Sequence, residues 1–223
     1  ELDTIQCKKV IDQIAEVNPN AFLILTGGEP LLRPDIYELI RYAADKKFMV
    51  VLGTNGTLIN EANAKKIKAA GAHGVGISID SMDATKHNKF RGVSGAWEHS
   101  MEAFNVLNEV GVDFLIQMSV SDMNYREIPD VVAFTEKIGA IAFNLYFLVC
   151  TGRGQGNTDI SNEAYEEALK LLYEQQMKYK GRLMINSKCA PQYKRVVYEN
   201  DPDSVYTRTY SGGCPAGTHY SRI

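Results

Sequence analysis

Apolar and polar positions follow two rhythms along this chain. Short runs rich in apolar or β-branched residues, "AFLILT" (21–26), "FMVVLG" (48–53), "GVGISI" (74–79) and "FLIQMSV" (114–120), are followed by "FNLYFLV" (143–149) and a weaker "LMIN" (183–186). Continuous runs of this length suit strands buried on both faces. Amphipathic helical patterns lie between them. Residues 3–17 read as a helix, "PDIYELIRYAADKK" has Pro34 near an N-terminus, and "NEANAKKIKAAG" offers Asn60 as a cap and Gly71 as a stop. "GAWEHSMEAFNVLNEVG" stops at Gly111, and "REIPDVVAFTEKIG" and "SNEAYEEALKLLYEQQMKYKG", with Ser161 as a cap, complete the series. The regular alternation predicts parallel βα units with right-handed crossovers. Beyond residue 186 it weakens to one short helical piece and then Asp-Pro and glycine-rich turns. Residues 1–186 therefore read as the α/β domain, and 187–223 as a linker and the beginning of an extension.

Polar and flexible residues follow each strong strand. In chain order they are Thr26-Gly27-Gly28-Glu29, Thr54-Asn55-Gly56-Thr57, Ser78-Ile79-Asp80-Ser81, Ser119-Val120-Ser121-Asp122 and Cys150-Thr151-Gly152-Arg153-Gly154. In a parallel barrel or an open doubly wound sheet these strand ends form the ligand-binding edge. At the first of them, two glycines free the backbone to turn and offer carbonyls or amides, Glu29 adds a negative charge, and Pro30 fixes the exit. Such a corner suits an ammonium group and repels a phosphate. A plain tight turn with Glu29 in solvent is the competing reading.

Composition narrows the classes. The 223 residues are 45% hydrophobic and 23% charged with a formal charge of -3, an ordinary globular balance with no general attraction for nucleic acid. No apolar run approaches the roughly 20 residues that cross a bilayer, so a cytoplasmic protein without a membrane partner is expected. Cys7, Cys150, Cys189 and Cys214 show no C-x-x-C spacing, and His73, His87, His99 and His219 show no zinc spacing. Because residue 1 is not Met and a helix begins almost at once, the chain is expected to start inside a longer protein.

"LTGGEPLLRPDI", "GTNGTLI", "GISIDS" and "KFRGVSGAW", in this order, strongly resemble the radical S-adenosylmethionine enzymes, particularly those with a C-terminal SPASM extension. The resemblance implies a partial (β/α)6 TIM-like barrel. It also implies that Gly27, Gly28 and Glu29, with Pro30 beside them, hold the methionyl ammonium of S-adenosylmethionine, with Asn55, Ser78 and Arg91 around its ribose and carboxylate. A guanidinium pairs with a carboxylate through two hydrogen bonds, which suits Arg91. Asp80 and Gln117, at strand ends, face ligand or cap neighbouring backbone.

The family's C-x-x-x-C-x-x-C loop, whose thiolates hold a [4Fe-4S] cluster, belongs before the first helix and is absent here, so this chain alone is expected to be inactive. Cys7 shares a helical face with Val10, Ile11 and Ile14 and reads as a structural thiol. "GGCPAGTHYSRI" resembles the first segment of a SPASM extension, making Cys214 a ligand of an auxiliary [4Fe-4S] cluster, while Cys189 reads as a packed residue, a further ligand or a substrate-side thiol. "SKCAPQYKRVVYENDP" and "GGCPAG" most resemble the alternative haem pathway group, the didecarboxysiroheme deacetylase-like and nitrite-reductase haem proteins. That implies a deoxyadenosyl radical, hydrogen abstraction leading to loss of acetate side chains from a tetrapyrrole, and an electron donor such as flavodoxin or ferredoxin. Lys188, Lys194 and Arg195 are then candidates for pairing with tetrapyrrole carboxylates. The alternatives are a peptide- or protein-modifying SPASM enzyme and a non-catalytic S-adenosylmethionine-binding barrel. An aldolase-like barrel is weaker, since no lysine is expected at a strand end and no carboxylate pair is placed as acid and base.

Overall fold

The computed structural model describes residues 2–147 and 160–208. Six strands, β1 (Phe22–Leu25), β2 (Met49–Thr54), β3 (Gly74–Ser78), β4 (Phe114–Val120), β5 (Ala142–Phe147) and β6 (Met184–Lys188), form one parallel sheet in chain order. The sheet curls into a half-barrel, the partial TIM-like barrel expected from the sequence. Helices α1 (Thr4–Val17), α2 (Ile36–Asp45), α3 (Glu61–Ala70), α4 (Ala84–Arg91), α5 (Ala96–Val110), α6 (Ile128–Lys137) and α7 (Asn162–Lys178) lie before and between the strands. α8 (Tyr193–Asn200) and the single turn α9 (Val205–Arg208) follow β6.

The helix boundaries have local causes. Asp3 accepts from the Gln6 N–H while the Gln6 side chain accepts from the Asp3 N–H, a reciprocal cap that starts α1. Asn60 and Ser161 cap α3 and α7 as expected, and Gly71 and Gly111 end α3 and α5 at φ of 89° and 71°, which a side chain disfavours. Pro34 stands one residue before the Asp35 that precedes α2. Helix α4 was not legible as a period because "ATKHNKFR" is polar nearly all round and buries only His87.

Strands β3 and β5 are buried at nearly every position on both faces, as expected, whereas β1, β2, β4 and β6 are not. Burial alternates along β4, where Phe114, Ile116, Met118 and Val120 pack beneath the helices while Leu115, Gln117 and Ser119 are half-exposed. The core is therefore the layer between sheet and helices, with Ile40, Phe48, Leu52, Ile77, Ile116 and Leu145 fully enclosed. The other face is the concave one. Register assigns it Ile24, Val51 and Gly74 in one row, Gly53 and Gly76 in the next, and Ser78, Gln117, Asn144 and Asn186 in a polar row near the C-terminal strand ends.

Strand β6 runs two residues beyond the expected Asn186 and ends at Lys188, and Ala190, Tyr193, Val196 and Val197 after it join the same core. Among the described residues no helix is long and apolar enough to cross a membrane. Leu52→Ala is expected to cost about 2–5 kcal/mol, since it empties a fully buried site between sheet and helices. Urea unfolding checks this, and a loss below about 1 kcal/mol contradicts the packing described.

Candidate cofactor and active site

The chain leaves β1 at Thr26 and turns through Gly27 and Gly28, both exposed. A Cβ built on either glycine meets nothing within 4 Å, so the protein's own packing does not exclude a side chain there. Neither backbone makes a hydrogen bond among the described residues, which leaves its carbonyls and amides open to a ligand.

Glu29 sets this corner. Its Oε1 accepts from the Leu31 N–H (3.1 Å) and the Thr54 hydroxyl (2.7 Å), and its Oε2 accepts from the Asn55 N–H (2.9 Å). The carboxylate thus ties the loop after β1 to the end of β2 and caps the short turn Pro30–Leu32, in which Pro30 is buried. A carboxylate has about four acceptor sites, so one remains for a cation at Gly27 and Gly28. Glu29 is not the solvated side chain of a plain turn. Asn55, in turn, accepts from the backbone and hydroxyl of Thr57 through Oδ1 (2.9 and 2.7 Å), leaving its Nδ2 to the exposed side.

A second carboxylate organises the next two strand ends. Asp80 is 1% exposed and all its polar atoms are used. Oδ2 accepts from Arg91 Nε (2.5 Å) and Oδ1 from the Ser119 N–H (2.9 Å). Its carbonyl accepts from Asn124 Nδ2 (2.8 Å), and its N–H donates to His87 Nδ1 (3.1 Å). Asp80 therefore caps backbone and orients Arg91, and its side chain does not present itself to a ligand. The Arg91 Nη groups make no hydrogen bond among the described residues and stay available for a carboxylate.

Ser78 and Gln117 are paired in register across β3 and β4, and neither side chain is hydrogen-bonded within the described residues. Gln117 lies over Gly76, where an added Cβ would stand 3.0 Å from Nε2. The strand ends thus unite two groups, Gly27 to Asn55 and Ser78 to Arg91, along β1 to β4. Sequence reasoning placed Thr54 and Ser119 at strand ends but gave no supporting role to them, to His87 or to Asn124. It also passed over Lys188 as a strand-end lysine, because β6 was ended too early; that objection to a lysine-based reading does not stand.

Cys7 is half-buried and packs against the core, as expected of a structural thiol. Cys189 is exposed, with φ of 60°, and so is not the packed residue that was the first expectation. Cys150, Cys214 and the Gly152–Gly154 segment lie outside the described residues. Arg195 is committed to Glu199 (2.9 Å) and Glu166.

The parallel half-barrel gathers open backbone carbonyls, a spare guanidinium edge and free amides at its C-terminal strand ends, the edge where parallel barrels carry their sites. The chain belongs to the Radical SAM superfamily, whose family description matches residues 1–135. It is 37% identical to the AdoMet-dependent heme synthase of Methanosarcina barkeri over 99% of this chain and 64% of that protein. It is 36% identical to the Fe-coproporphyrin III synthase of the same organism over 80% of this chain and 45% of that protein. The fold is shared with SuiB of Streptococcus suis bound to S-adenosylmethionine, at a TM-score of 0.71 and 16% identity over 92% of this chain and 47% of that one. The chain thus spans less than two thirds of the length of these relatives.

The family implies S-adenosylmethionine and a [4Fe-4S] cluster. The open glycine corner and the free Arg91 edge fit the first. The cluster finds no ligand set among the described residues, where no three His, Cys, Asp or Glu side chains converge.

Two measurements follow from this geometry. Glu29→Gln replaces an acceptor by an NH2 facing a donor, so S-adenosylmethionine affinity of the full-length protein should fall about tenfold by calorimetric titration. Unchanged affinity contradicts the bridging role. His87 is held below its usual pKa, mainly by burial, with the Asp80 charge opposing that and Arg91 adding to it. With the folded pKa depressed, the neutral ring's contribution is complete above the unfolded value of about 6.5 and is lost as pH falls below it. The unfolding temperature should drop below about pH 6.5, and His87→Gln should remove that part of the slope. An identical pH slope in the variant contradicts it.

Proposed function

We propose that this chain is the core of an enzyme that binds S-adenosylmethionine across β1 to β4 and uses it to take a hydrogen atom from an acid-bearing side chain of a tetrapyrrole. The observation carrying this reading is 37% identity to a protein named as a heme synthase along 99% of the chain, over strand ends that are open at Gly27, Gly28, Asn55, Ser78 and Arg91.

The residues divide the work. Carbonyls of Gly27 and Gly28, with the spare acceptor site of Glu29, receive the ammonium, and the Arg91 Nη groups receive the carboxylate. Ser78 and the Asn55 amide lie where ribose hydroxyls are held. Asp80 and Glu29 keep those groups in place before the ligand arrives, which reduces the ordering cost of binding. Held by these residues, S-adenosylmethionine would supply the radical chemistry for removing a hydrogen atom. Loss of acetate side chains, expected from the sequence, is one outcome of that step. An auxiliary [4Fe-4S] cluster and a flavodoxin- or ferredoxin-type donor complete the proposal.

The test uses full-length protein reconstituted without oxygen and supplied with a reductant. Formation of 5′-deoxyadenosine is expected to rise when didecarboxysiroheme or iron coproporphyrin III is added. It should fall about a hundredfold in Arg91→Met, which removes the carboxylate's partner. A rate indifferent to both tetrapyrroles contradicts the reading.

A further inference from the structure

Strands β4 to β6 present a panel of the concave face on the far side of the sheet from the Gly27–Gly28 corner. Register sets it out in rows: Leu115, Ala142 and Met184 are apolar, and Gln117, Asn144 and Asn186 form an amide row nearer the C-terminal strand ends. Lys188 stands one row further on, beside Tyr146. The alternate residues Phe143, Leu145 and Ile185 belong to the core between sheet and helices, so the panel faces the open side.

Two positions on this panel are costly to leave as they stand. Met184 is 61% exposed, and covering so open an apolar side chain is favourable. Lys188 alone is charged among the strand residues that register places on the concave face. It is half-buried, yet its ammonium makes no ion pair or hydrogen bond with the described residues. Burial pushes its pKa below the ordinary lysine value, opposed by the neighbouring Cys189. A cation held partly out of water without a counter-charge is unfavourable, and an incoming anion relieves that. Between the two, Asn186 Nδ2 donates to Asn144 Oδ1 (2.9 Å), while Gln117 makes no hydrogen bond among the described residues. A neutral ligand leaves Lys188 unpaired, and a wholly polar one leaves Met184 in water. A ligand with an apolar body and an acidic rim satisfies both.

We propose that the concave panel of β4 to β6 seats an acid-bearing tetrapyrrole in one orientation, with its macrocycle over Met184 and the amide row and one carboxylate arm on Lys188. This rests on the tetrapyrrole reading and deepens it. The five residues of β6 from Met184 to Lys188 span about 13 Å, room for the edge of a macrocycle and one arm. Three strand spacings, about 14 Å, separate β6 from β3. Pinning one arm at β6 therefore turns the opposite rim of the substrate towards Ser78, and the choice of arm decides which hydrogen is presented there. Lys188 is a specificity residue in this arrangement, and Met184 supports the macrocycle.

The test is equilibrium titration of full-length, reconstituted protein with iron coproporphyrin III and with its tetramethyl ester, followed by the Soret band. The ester has the same macrocycle and no free acid. Wild type should bind the acid about tenfold more tightly than the ester. Lys188→Met should lose that preference by weakening the acid alone, and Lys188→Arg should restore most of it. Met184→Gln should weaken acid and ester alike, about threefold, and leave their ratio unchanged. S-adenosylmethionine affinity and unfolding temperature report whether each variant remains folded. Equal acid binding by wild type and Lys188→Met overturns the proposed seat and leaves the tetrapyrrole reading standing. The same holds if wild type fails to distinguish acid from ester, or if Met184→Gln binds both as wild type does. Binding of neither compound by wild type overturns both.

Discussion

A buried aspartate that has no spare polar atom holds the active edge of this barrel together. Asp80 receives Arg91 from α4 and the Ser119 amide from β4, while its own backbone is fixed by His87 and Asn124. A carboxylate with 1% exposure is tolerable only when paired, so α4, the end of β4 and the turn at Asn124 must arrive together or leave an isolated buried charge. The consequence reaches the ligand: Arg91 is aimed by a group that is itself immobile. Glu29 does the same one strand pair away, where it locks the Gly27–Gly28 corner to Thr54 and Asn55. The cofactor side is in this way preorganised by two carboxylates whose main partners are protein groups.

The concave face has a floor of its own. Gly53 and Gly76 lie side by side across β2 and β3, and each is overlain by a neighbour's side chain, Thr26 and Gln117 respectively. Side chains from adjacent strands thus lean across the glycines and shape the floor. From β3 to β6 that floor becomes the row of Ser78, Gln117, Asn144 and Asn186, polar but uncharged, with Lys188 beyond it. The concave surface thus grades from a glycine corner to an amide row to a cation.

Much of this was legible in the sequence. The strand–helix alternation gave the parallel order, and the polar residues after each strand marked the ligand edge, because both depend on local pattern. Helix α4 was not legible, since a polar segment fixed by the Asp83 cap, His87 and Arg91 carries no amphipathic period. The role of Asp80 was half-legible: a strand-end carboxylate was expected either to face ligand or to cap backbone, and only tertiary contact with Ser119 decides it. Lys188 was named as a candidate on the resemblance, but its place at a strand end was hidden, because the apolar run ends at Asn186 while backbone pairing continues for two polar residues. Cys189 was expected first as a packed residue, but it is exposed and sits at a left-handed φ of 60°.

The central claim is that ligands occupy the C-terminal strand ends in two separate places. Hydrogen–deuterium exchange on the full-length, reconstituted protein tests it most directly, with S-adenosylmethionine and iron coproporphyrin III added separately. The account predicts that the first slows exchange in segments 26–33, 54–58 and 78–92, and the second at the ends of β4, β5 and β6 beside Gln117, Asn144 and Asn186. Slowing confined to the opposite strand ends, around 46–49, 72–74 and 111–114, would contradict it.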